Sequence, residues 1–256
     1  MNLKARLDYH YNLFDKSRIS PDPLEFLHRY SDKRDIEIVG FIASVFAYGN
    51  IKQIMRICEL LFSGLGKSPY NTIKNYKAKS GRIPKGIKHR FYSESDIEVF
   101  LSLLSIVIKK YGSLEALFME GYIEGDKNVK RAISVFSGAL LSETEKKYGL
   151  TPGIKFMFPL PEKGSACKRM NLFLRWMVRK DELDFGLWSN VSIEKLIIPV
   201  DTHIAKICRT LRLTKRKNTG WQMAEEITER LKRYDPKDPV KYDFALCHIG
   251  MRKMEF

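Results

Sequence analysis

Residues 198–209 read Ile-Pro-Val-Asp-Thr-His-Ile-Ala-Lys-Ile-Cys-Arg, and their spacing predicts the start of an amphipathic helix. Asp201 stands where a helix begins, a position at which a side-chain oxygen commonly accepts hydrogen bonds from the first free amides. The stretch therefore predicts a helix that carries one carboxylate at its N-terminal end. The apolar residues around this Asp recur at helical spacing: Val200, Ile204, Ile207 and Cys208.

Helical spacing of apolar residues is also found along the rest of the chain. Residues 36–47, 51–62 and 99–110 each place apolar side chains on one face of a helix. No stretch shows the sustained alternation with a period of two that is typical of a half-buried strand. We therefore predict an all-α fold.

Turn-forming residues predict where several helices begin and end. Gly64 and Gly66 are suitable ends for the helix over 51–62, because glycine tolerates the left-handed conformation that often follows a last helical turn. Ser95 and Thr219 each have Glu or Gln three positions later, which is the spacing of a capping box. We therefore expect helices to begin at these two residues.

The chain is strongly basic. Its 256 residues include 45 Lys and Arg against 30 Asp and Glu, which gives a net charge of +15 and a pI of about 9.6. Such an excess favours a polyanionic partner, because each phosphate that a protein neutralises releases counterions. We therefore expect a nucleic acid as the partner.

The sequence offers little support for a membrane location or a metal centre. The longest apolar stretch, residues 99–108, is too short to cross a membrane, and the N-terminus contains no apolar segment of signal-peptide length. The four cysteines lie far apart and show no zinc or iron–sulfur ligand spacing. We expect a cytoplasmic, nucleoid-associated protein with no membrane partner, metal or cofactor.

Residues 74–90 form a segment rich in Lys and Arg that contains two glycines and no acidic residue. This composition predicts an exposed loop that could contact phosphates through Lys85, Lys88 and Arg90. A solvated surface loop without a partner explains the same composition equally well.

Residues 160–168, Leu-Pro-Glu-Lys-Gly-Ser-Ala-Cys-Lys, predict a tight turn that opens a second helix. Gly164 can take a positive φ there, and a helix that begins near Ser165 would offer free amides to a phosphate. An ordinary joint between two helices is the alternative. In the helix that follows, Leu172, Phe173, Trp176 and Met177 are expected to face inward, and Arg169, Arg175 and Arg179 outward.

Residues 160–168 and 198–209 together resemble the helix-hairpin-helix (HhH-GPD) DNA glycosylase superfamily. The superfamily's hairpin typically reads Leu-Pro-Gly-x-Gly-x-Lys and is followed by Val-Asp-Thr-His, which residues 200–203 match fully. Leu160, Pro161 and Gly164 match the hairpin, whereas Glu162 replaces its first glycine and Lys168 comes two residues later than usual.

The variations on this pattern favour one branch of the superfamily. The separation of 201 − 168 = 33 residues is longer than in the endonuclease III branch, and that branch's iron–sulfur loop is missing. The long spacing and the glycine-poor hairpin look more like the archaeal GO glycosylases, which remove 8-oxoguanine. Residues 243–250 also resemble the superfamily's late helix.

The resemblance implies roles for individual residues. Asp201 would stabilise the positive charge that builds up on the sugar as the glycosidic bond breaks. Lys168 would attack the anomeric carbon and form a Schiff base, with Lys163 as the alternative amine. The implied contacts with DNA are Gly164, Ser165, Ala166 and Arg169 near the hairpin, with Asn50 or Gln53 as the gap-filling residue. A flipped base also needs an aromatic pocket, for which Trp188, Trp221 and Phe244 are the candidates, and an ordinary place in the core is the alternative for each of them.

The resemblance therefore implies a base-excision DNA glycosylase with associated AP lyase activity that removes 8-oxoguanine through a lysine Schiff base. Its partner would be double-stranded DNA that contains damaged bases, and we expect it to act as a monomer. A helical barrel is expected over 35–178, and a second domain over 1–34 plus 179–256, with the two interlocked and Lys168 and Asp201 meeting at the cleft. The alternative is a non-catalytic DNA-binding protein that uses the hairpin and the basic segment only to hold phosphates.

Overall fold

A computed structural model describes the backbone of residues 2–252 and the side chains of residues 2–249. This part of the chain forms twelve α-helices and no β-strand, which confirms the predicted all-α fold. In chain order the helices are α1 (Leu3–Asn12), α2 (Lys33–Phe46), α3 (Ile51–Leu65), α4 (Pro69–Lys74), α5 (Glu94–Tyr111), α6 (Leu114–Met119), α7 (Lys130–Tyr148), α8 (Pro152–Met157), α9 (Lys168–Val178), α10 (Thr202–Thr210), α11 (Trp221–Leu231) and α12 (Asp243–Arg252).

Short 3-10 helices join several of these elements, at Lys16–Arg18, Pro23–Arg29, Pro161–Lys163 and Ile193–Lys195. Two isolated β-bridges, His89 with Tyr92 and Lys180 with Phe185, stabilise turns. Within residues 2–252, every helix is too short or too polar to span a membrane.

The contacts divide the chain into two compact units. Unit 1 comprises Met1–Ser20, Asp126–Val129 and Pro161–Phe256, and unit 2 comprises Pro21–Gly125 and Lys130–Leu160. Helix α9 falls in unit 1, together with α10, α11 and α12. The domain bounds expected from the sequence, 35–178 and 1–34 plus 179–256, and the interlocking of the two domains stay predictions.

Unit 2 is built around α2 and α5. Phe41 and Phe46 on α2 contact the ring of Phe100 on α5, and Phe136 on α7 meets Phe41 edge to face at 5.5 Å between ring centroids. Buried carboxylates tie further helices to this core. Glu37 accepts hydrogen bonds from the first two amides of α6, at 3.0 Å each, and its side chain thereby replaces water at that helix start.

The start of α5 lies two residues before the predicted one. Ser93 is the N-cap, and it forms a capping box with Asp96, so the prediction of a box at Ser95 is wrong. The Asp96 carboxylate also accepts a hydrogen bond from Thr151, which joins the starts of α5 and α8. The prediction of a box at Thr219 is wrong as well, because α11 begins after Gly220 without a side-chain cap.

Gly64 lies inside α3 instead of ending it. A Cβ atom on Gly64 would lie 1.8 Å from the carbonyl oxygen of Arg82, so this glycine lets the 74–90 segment approach the helix closely. Gly66, with φ of +73°, is the residue that ends α3, as the sequence predicts. The two glycines therefore have different roles in a stretch where either one fitted a helix end.

In unit 1, α10 and α1 both pack against α12. The inward face of α9 is buried as predicted, and its Phe173 meets Trp188 edge to face at 5.1 Å between centroids. Tyr242, just before α12, is fully buried and donates a hydrogen bond to Asp8 of α1 at 2.7 Å. These contacts fix the ends of α9, α10 and α12, which carry the candidate site.

Candidate active site

The turn over residues 160–168 is a single 3-10 turn followed by four non-helical residues. Gly164 has φ of +82°, and its amide donates to the carbonyl oxygen of Pro161 at 3.0 Å. Its own carbonyl oxygen accepts a hydrogen bond from the Trp221 amide at 3.1 Å. Gly220 is required next to this contact, because a Cβ there would lie 2.7 Å from the same oxygen. The turn is therefore held against the start of α11.

Helix α9 begins at Lys168, three residues after the predicted start near Ser165. Cys167 precedes it in the left-handed conformation, with φ of +47°, and its amide donates to the Ser165 hydroxyl at 3.1 Å. Asn171 donates from its side chain to the Ala166 carbonyl oxygen at 3.0 Å. This local network places Lys168 as the first residue of the helix.

Asp201 is the N-cap of α10, as predicted. Its Oδ1 atom accepts hydrogen bonds from the amides of His203 at 2.9 Å and Ile204 at 3.0 Å. The carboxylate is thereby held in place through one of its two oxygens.

The structure brings the two predicted catalytic residues together within unit 1. The Nζ atom of Lys168 lies 3.6 Å from Oδ2 of Asp201, the oxygen that does not cap the helix. The side chains are 28% and 27% exposed, so the pair is partly open to solvent. The distance exceeds that of a charge-assisted hydrogen bond, about 2.7–2.9 Å, so amine and carboxylate form a loose ion pair.

A buried ion network lies at the other end of α9. Arg175 binds Asp243 of α12 and also Asp184, while Arg179 binds Asp184, Asp181 and Asp238. The side chains of Arg175 and Arg179 are each only 4% exposed. This network ties α9 to α12 and to the loop after α9.

Burial raises the pKa of Asp243 from its ordinary 3.8 to about 6, although Arg175 opposes the shift. Lys168 and Asp201 also act on this carboxyl, the lysine lowering its pKa and the aspartate raising it. The buried network and the Lys168–Asp201 pair are therefore electrostatically coupled.

The three arginines of α9 do not face outward. Arg169, Arg175 and Arg179 are 6%, 3% and 3% exposed, so this prediction is wrong. Helical spacing placed them opposite the apolar face, but carboxylates from other parts of unit 1 surround two of them and make burial tolerable. The role of Arg169 as a DNA contact stays a prediction. Lys163, the alternative amine, is exposed in the 3-10 turn.

The three aromatic residues expected to form a base pocket are all buried. Trp188 packs on Phe173, and Phe244 stacks on His248 with 4.1 Å between ring centroids. Trp221 is buried next to the turn, and its indole N–H has no hydrogen-bond partner among the described residues. Their role in binding a base stays a prediction.

The remaining predicted DNA contacts lie in unit 2. Asn50 is the N-cap of α3 and accepts a hydrogen bond from the Lys52 amide at 2.9 Å. Gln53 is exposed one turn later and lines a groove of about 580 Å³ together with the basic segment. Lys85, Lys88 and Arg90 line the same groove and are exposed.

Comparison with known proteins gives a family but no activity. Residues 22–252 match the model of a family described as a protein of unknown function, DUF2400. The chain belongs to this family. No curated protein and no solved structure matches the chain.

In this DUF2400 protein, several residues that bear on function were not predicted from the sequence, one in unit 1 and three in unit 2. Asp243 is the first residue of α12, and its position in a stretch that resembles the superfamily's late helix was the available signal. Phe91 and Phe156 are exposed aromatic residues of unit 2, and Arg56 lines the basic groove. Phe91 directly follows the basic segment, which was a signal for it, whereas nothing in the sequence pairs Phe156 with it.

Proposed function

We propose that the chain is a base-excision DNA glycosylase with associated AP lyase activity that removes 8-oxoguanine. The observation that carries the proposal is the approach of an amine and a carboxylate, Lys168 Nζ to Asp201 Oδ2 at 3.6 Å. These are the residues for which the resemblance to the helix-hairpin-helix superfamily implies catalysis. Under this proposal residues 160–178 form its hairpin and following helix, and the enzyme is both a hydrolase and a lyase.

The geometry of Asp201 suits a group that stabilises a cationic sugar. Cleavage of an N-glycosidic bond transfers the bonding electrons to the base and leaves positive charge on the sugar. A carboxylate held in place before the reaction lowers this barrier without reorganisation. Oδ1 is fixed by the amides of His203 and Ile204, so Oδ2 keeps a constant position beside the amine.

The geometry of Lys168 suits a nucleophile. In its neutral form the amine attacks the anomeric carbon, the base leaves with the bonding electrons, and opening of the sugar ring gives a Schiff base. Loss of a proton from the adjacent carbon then expels the 3′ phosphate, which nicks the strand. Asp201 lies close enough to exchange a proton with the amine after a small movement.

The turn before α9 supports a role in holding a strand. Gly164 and Ser165 are small and accessible to solvent, whereas Ala166 is buried. Backbone amides of such a turn can bind a phosphate and place the adjacent sugar near Lys168. The net charge of +15 supports DNA as the partner.

The deciding experiment is borohydride trapping on a duplex that contains 8-oxoguanine. Wild type is expected to form a covalent adduct, because borohydride reduces the Schiff base to a stable amine. Lys168→Gln is expected to abolish the adduct and leave DNA binding near normal. Lys163→Gln, which removes an exposed lysine from the same turn, is the matched control and should trap like wild type.

Trapping by Lys168→Gln at the wild-type level would contradict the assignment of the amine. Salt-sensitive DNA binding without trapping, or without nicking of an abasic-site duplex, would instead support the non-catalytic DNA-binding alternative. That alternative leaves Asp201 only its role as the N-cap of α10, and it gives no reason for the approach of the second oxygen to the lysine, since a negative charge facing phosphates weakens binding.

A further inference from the structure

Unit 2 contains a basic groove between α3 and the 74–90 segment. The groove has a volume of about 580 Å³, and its charged lining consists of Arg56, Lys85, Lys88 and Arg90. His89 is its remaining titratable lining residue, and no carboxylate lines it. None of the four cations forms an ion pair with a carboxylate among the described residues. The groove is therefore suited to a polyanion.

The segment that forms one wall of the groove is held in place. Ile83, Ile87 and His89 are buried although the charged residues between them are exposed. Glu94 accepts a hydrogen bond from the Gly86 amide at 2.7 Å, and Tyr48 donates to the His89 carbonyl oxygen at 2.7 Å. A wall that is ordered before binding loses little conformational entropy when a ligand arrives.

An aromatic cluster of Tyr48, Phe91 and Phe156 adjoins the groove. Phe91 and Phe156 are 60% and 38% exposed, which is unusual for large apolar side chains in contact with one another. Their rings meet at 5.1 Å between centroids, and Tyr48 lies parallel to Phe91 within 5°. The cluster presents open ring surface to solvent.

Arg90 links the groove to the aromatic cluster. Its guanidinium carbon lies 5.7 Å from the Tyr48 ring centroid and 5.5 Å from that of Phe91, and the residue also lines the groove. Its backbone is left-handed, with φ of +51°, and Gly49 makes room for its side chain, because a Cβ there would lie 2.8 Å from Arg90 Cδ. Backbone strain of this kind is often kept where a side chain serves a binding site.

We propose that unit 2 binds a DNA strand at an unpaired base, with the phosphates in the basic groove and the base stacked on Phe91 and Phe156. Nucleobases stack on exposed aromatic rings whatever their sequence, and cations beside the rings hold the backbone. The inference takes from the proposed function only that DNA is the partner. It predicts a preference for unpaired bases that does not depend on Lys168.

The preference can be measured by fluorescence anisotropy with two undamaged labelled duplexes, one fully paired and one with a single-nucleotide bulge. Wild type should bind the bulged duplex about tenfold more tightly, as expected for the stacking of one base. Phe91→Ala and Phe156→Ala should remove this preference, and Phe91→Leu should do so while keeping an apolar side chain. Tyr9→Leu, which changes an exposed aromatic residue of unit 1, should retain it.

The groove cations should contribute differently. Lys85→Gln and Lys88→Gln should weaken both duplexes alike and lower the salt dependence of binding, because phosphates are common to both. Lys33 is an exposed lysine of α2 with no carboxylate partner in the described chain, so Lys33→Gln should change neither the affinity for the two duplexes nor the salt dependence of binding. Arg90→Asn keeps a residue that tolerates the left-handed backbone and should reduce the preference for the bulge.

Equal binding of both duplexes by wild type would overturn the inference, as would a preference that survives both Phe→Ala substitutions. Thermal unfolding of each variant shows that the fold is retained. The outcome is separable from that of the proposed function. If wild type traps normally through Lys168 but shows no preference for the bulged duplex, only this inference fails. If wild type prefers the bulged duplex but does not trap, only the glycosylase proposal fails.

Discussion

The two ends of helix α9 carry charged residues in opposite environments. At its first residue, Lys168 forms a loose ion pair with Asp201 at 3.6 Å, with about a quarter of each side chain exposed. Two turns later, Arg175 binds Asp243 and Asp184 with side chains that are 4% exposed or less. The same helix therefore holds one ion pair that a substrate can reach and one ion network that is closed to solvent.

The difference separates charges that stabilise the fold from charges that are available for chemistry. A buried charge must keep its partners, because an unpaired charge away from water costs several kcal/mol. A partly exposed pair contributes little to stability and can change partners cheaply. We therefore expect substitutions at the two ends to affect different properties of the protein.

The largest effect on stability is expected at the buried end. Arg175→Met removes the partner of two buried carboxylates and should lower the free energy of unfolding by about 3–5 kcal/mol. Lys168→Met should change it by less than about 1 kcal/mol, because the pair it breaks is partly exposed. Urea unfolding followed by circular dichroism measures both values. Equal losses in the two variants would remove the distinction between the ends.

The next effect concerns catalysis at the open end. Asp201→Asn should slow base release by about 10²–10³-fold, since a preorganised group that stabilises the transition state contributes roughly 3–4 kcal/mol. The free energy of unfolding should change by only a few tenths of a kcal/mol, because Asn caps a helix about as well as Asp. Single-turnover release of 8-oxoguanine and urea unfolding of the same variant test the two statements.

Asp32 provides a matched control for this substitution. It is the N-cap of α2, and its carboxylate accepts hydrogen bonds from the amides of Arg34 and Asp35. Asp32→Asn makes the same chemical change at a helix start without a neighbouring lysine nucleophile. Base release should stay at the wild-type rate in this variant, and an equal slowing in both would indicate a general effect of charge.

The sequence predicted more about the open end of α9 than about the buried one. The N-cap at Asp201 follows from a local pattern, whereas the pairing with Lys168 came from the resemblance to a superfamily, and the turn placed the start of α9 three residues too early. The environment of Arg175 depends on Asp243, which is 68 residues away. Helical spacing alone gives a charged residue an outward direction, because it contains no information about distant carboxylates.

For the fold as well, local patterns predicted some features and missed those that depend on distant residues. The all-α class and the end of α3 at Gly66 follow from local patterns. The role of Gly64 depends on a contact with the Arg82 carbonyl oxygen that no local pattern shows. Likewise, Phe91 and Phe156 are brought together only by tertiary structure, so the exposed aromatic cluster could not be predicted.

A smaller effect is expected from the titration of Asp243. Burial raises the pKa of this carboxyl from 3.8 to about 6. The folded chain therefore binds the proton more tightly than the unfolded chain, so the stability that the neutral form provides is present below about pH 4 and is lost as the pH rises through about 6. The change is on the order of 1–3 kcal/mol.

Comparison with Asp243→Asn isolates this contribution. The free energy of unfolding of wild type minus that of the variant should fall as the pH rises from about 4 to about 6.5. Other carboxylates titrate in both proteins and cancel in the difference. A difference that is constant or rises over this range would show that Arg175 keeps the carboxylate ionised throughout, and the buried network would then be a fully charged one.

The smallest effect on stability is expected at the start of α5, where a second carboxylate, Asp96, can be compared with Asp201. Asp96 uses both oxygens within the fold, Oδ2 accepting from the Ser93 amide at 2.9 Å and from its hydroxyl at 2.7 Å, and Oδ1 from Thr151. Ser93→Ala should therefore cost about 1 kcal/mol, the usual effect of losing an N-cap. Ser95→Ala, at the exposed position that the sequence favoured, should change the free energy of unfolding by less than about 0.5 kcal/mol. A larger cost at Ser95 would place the cap there. Asp201 differs from Asp96 because it caps its helix through one oxygen, which leaves the other oxygen beside Lys168.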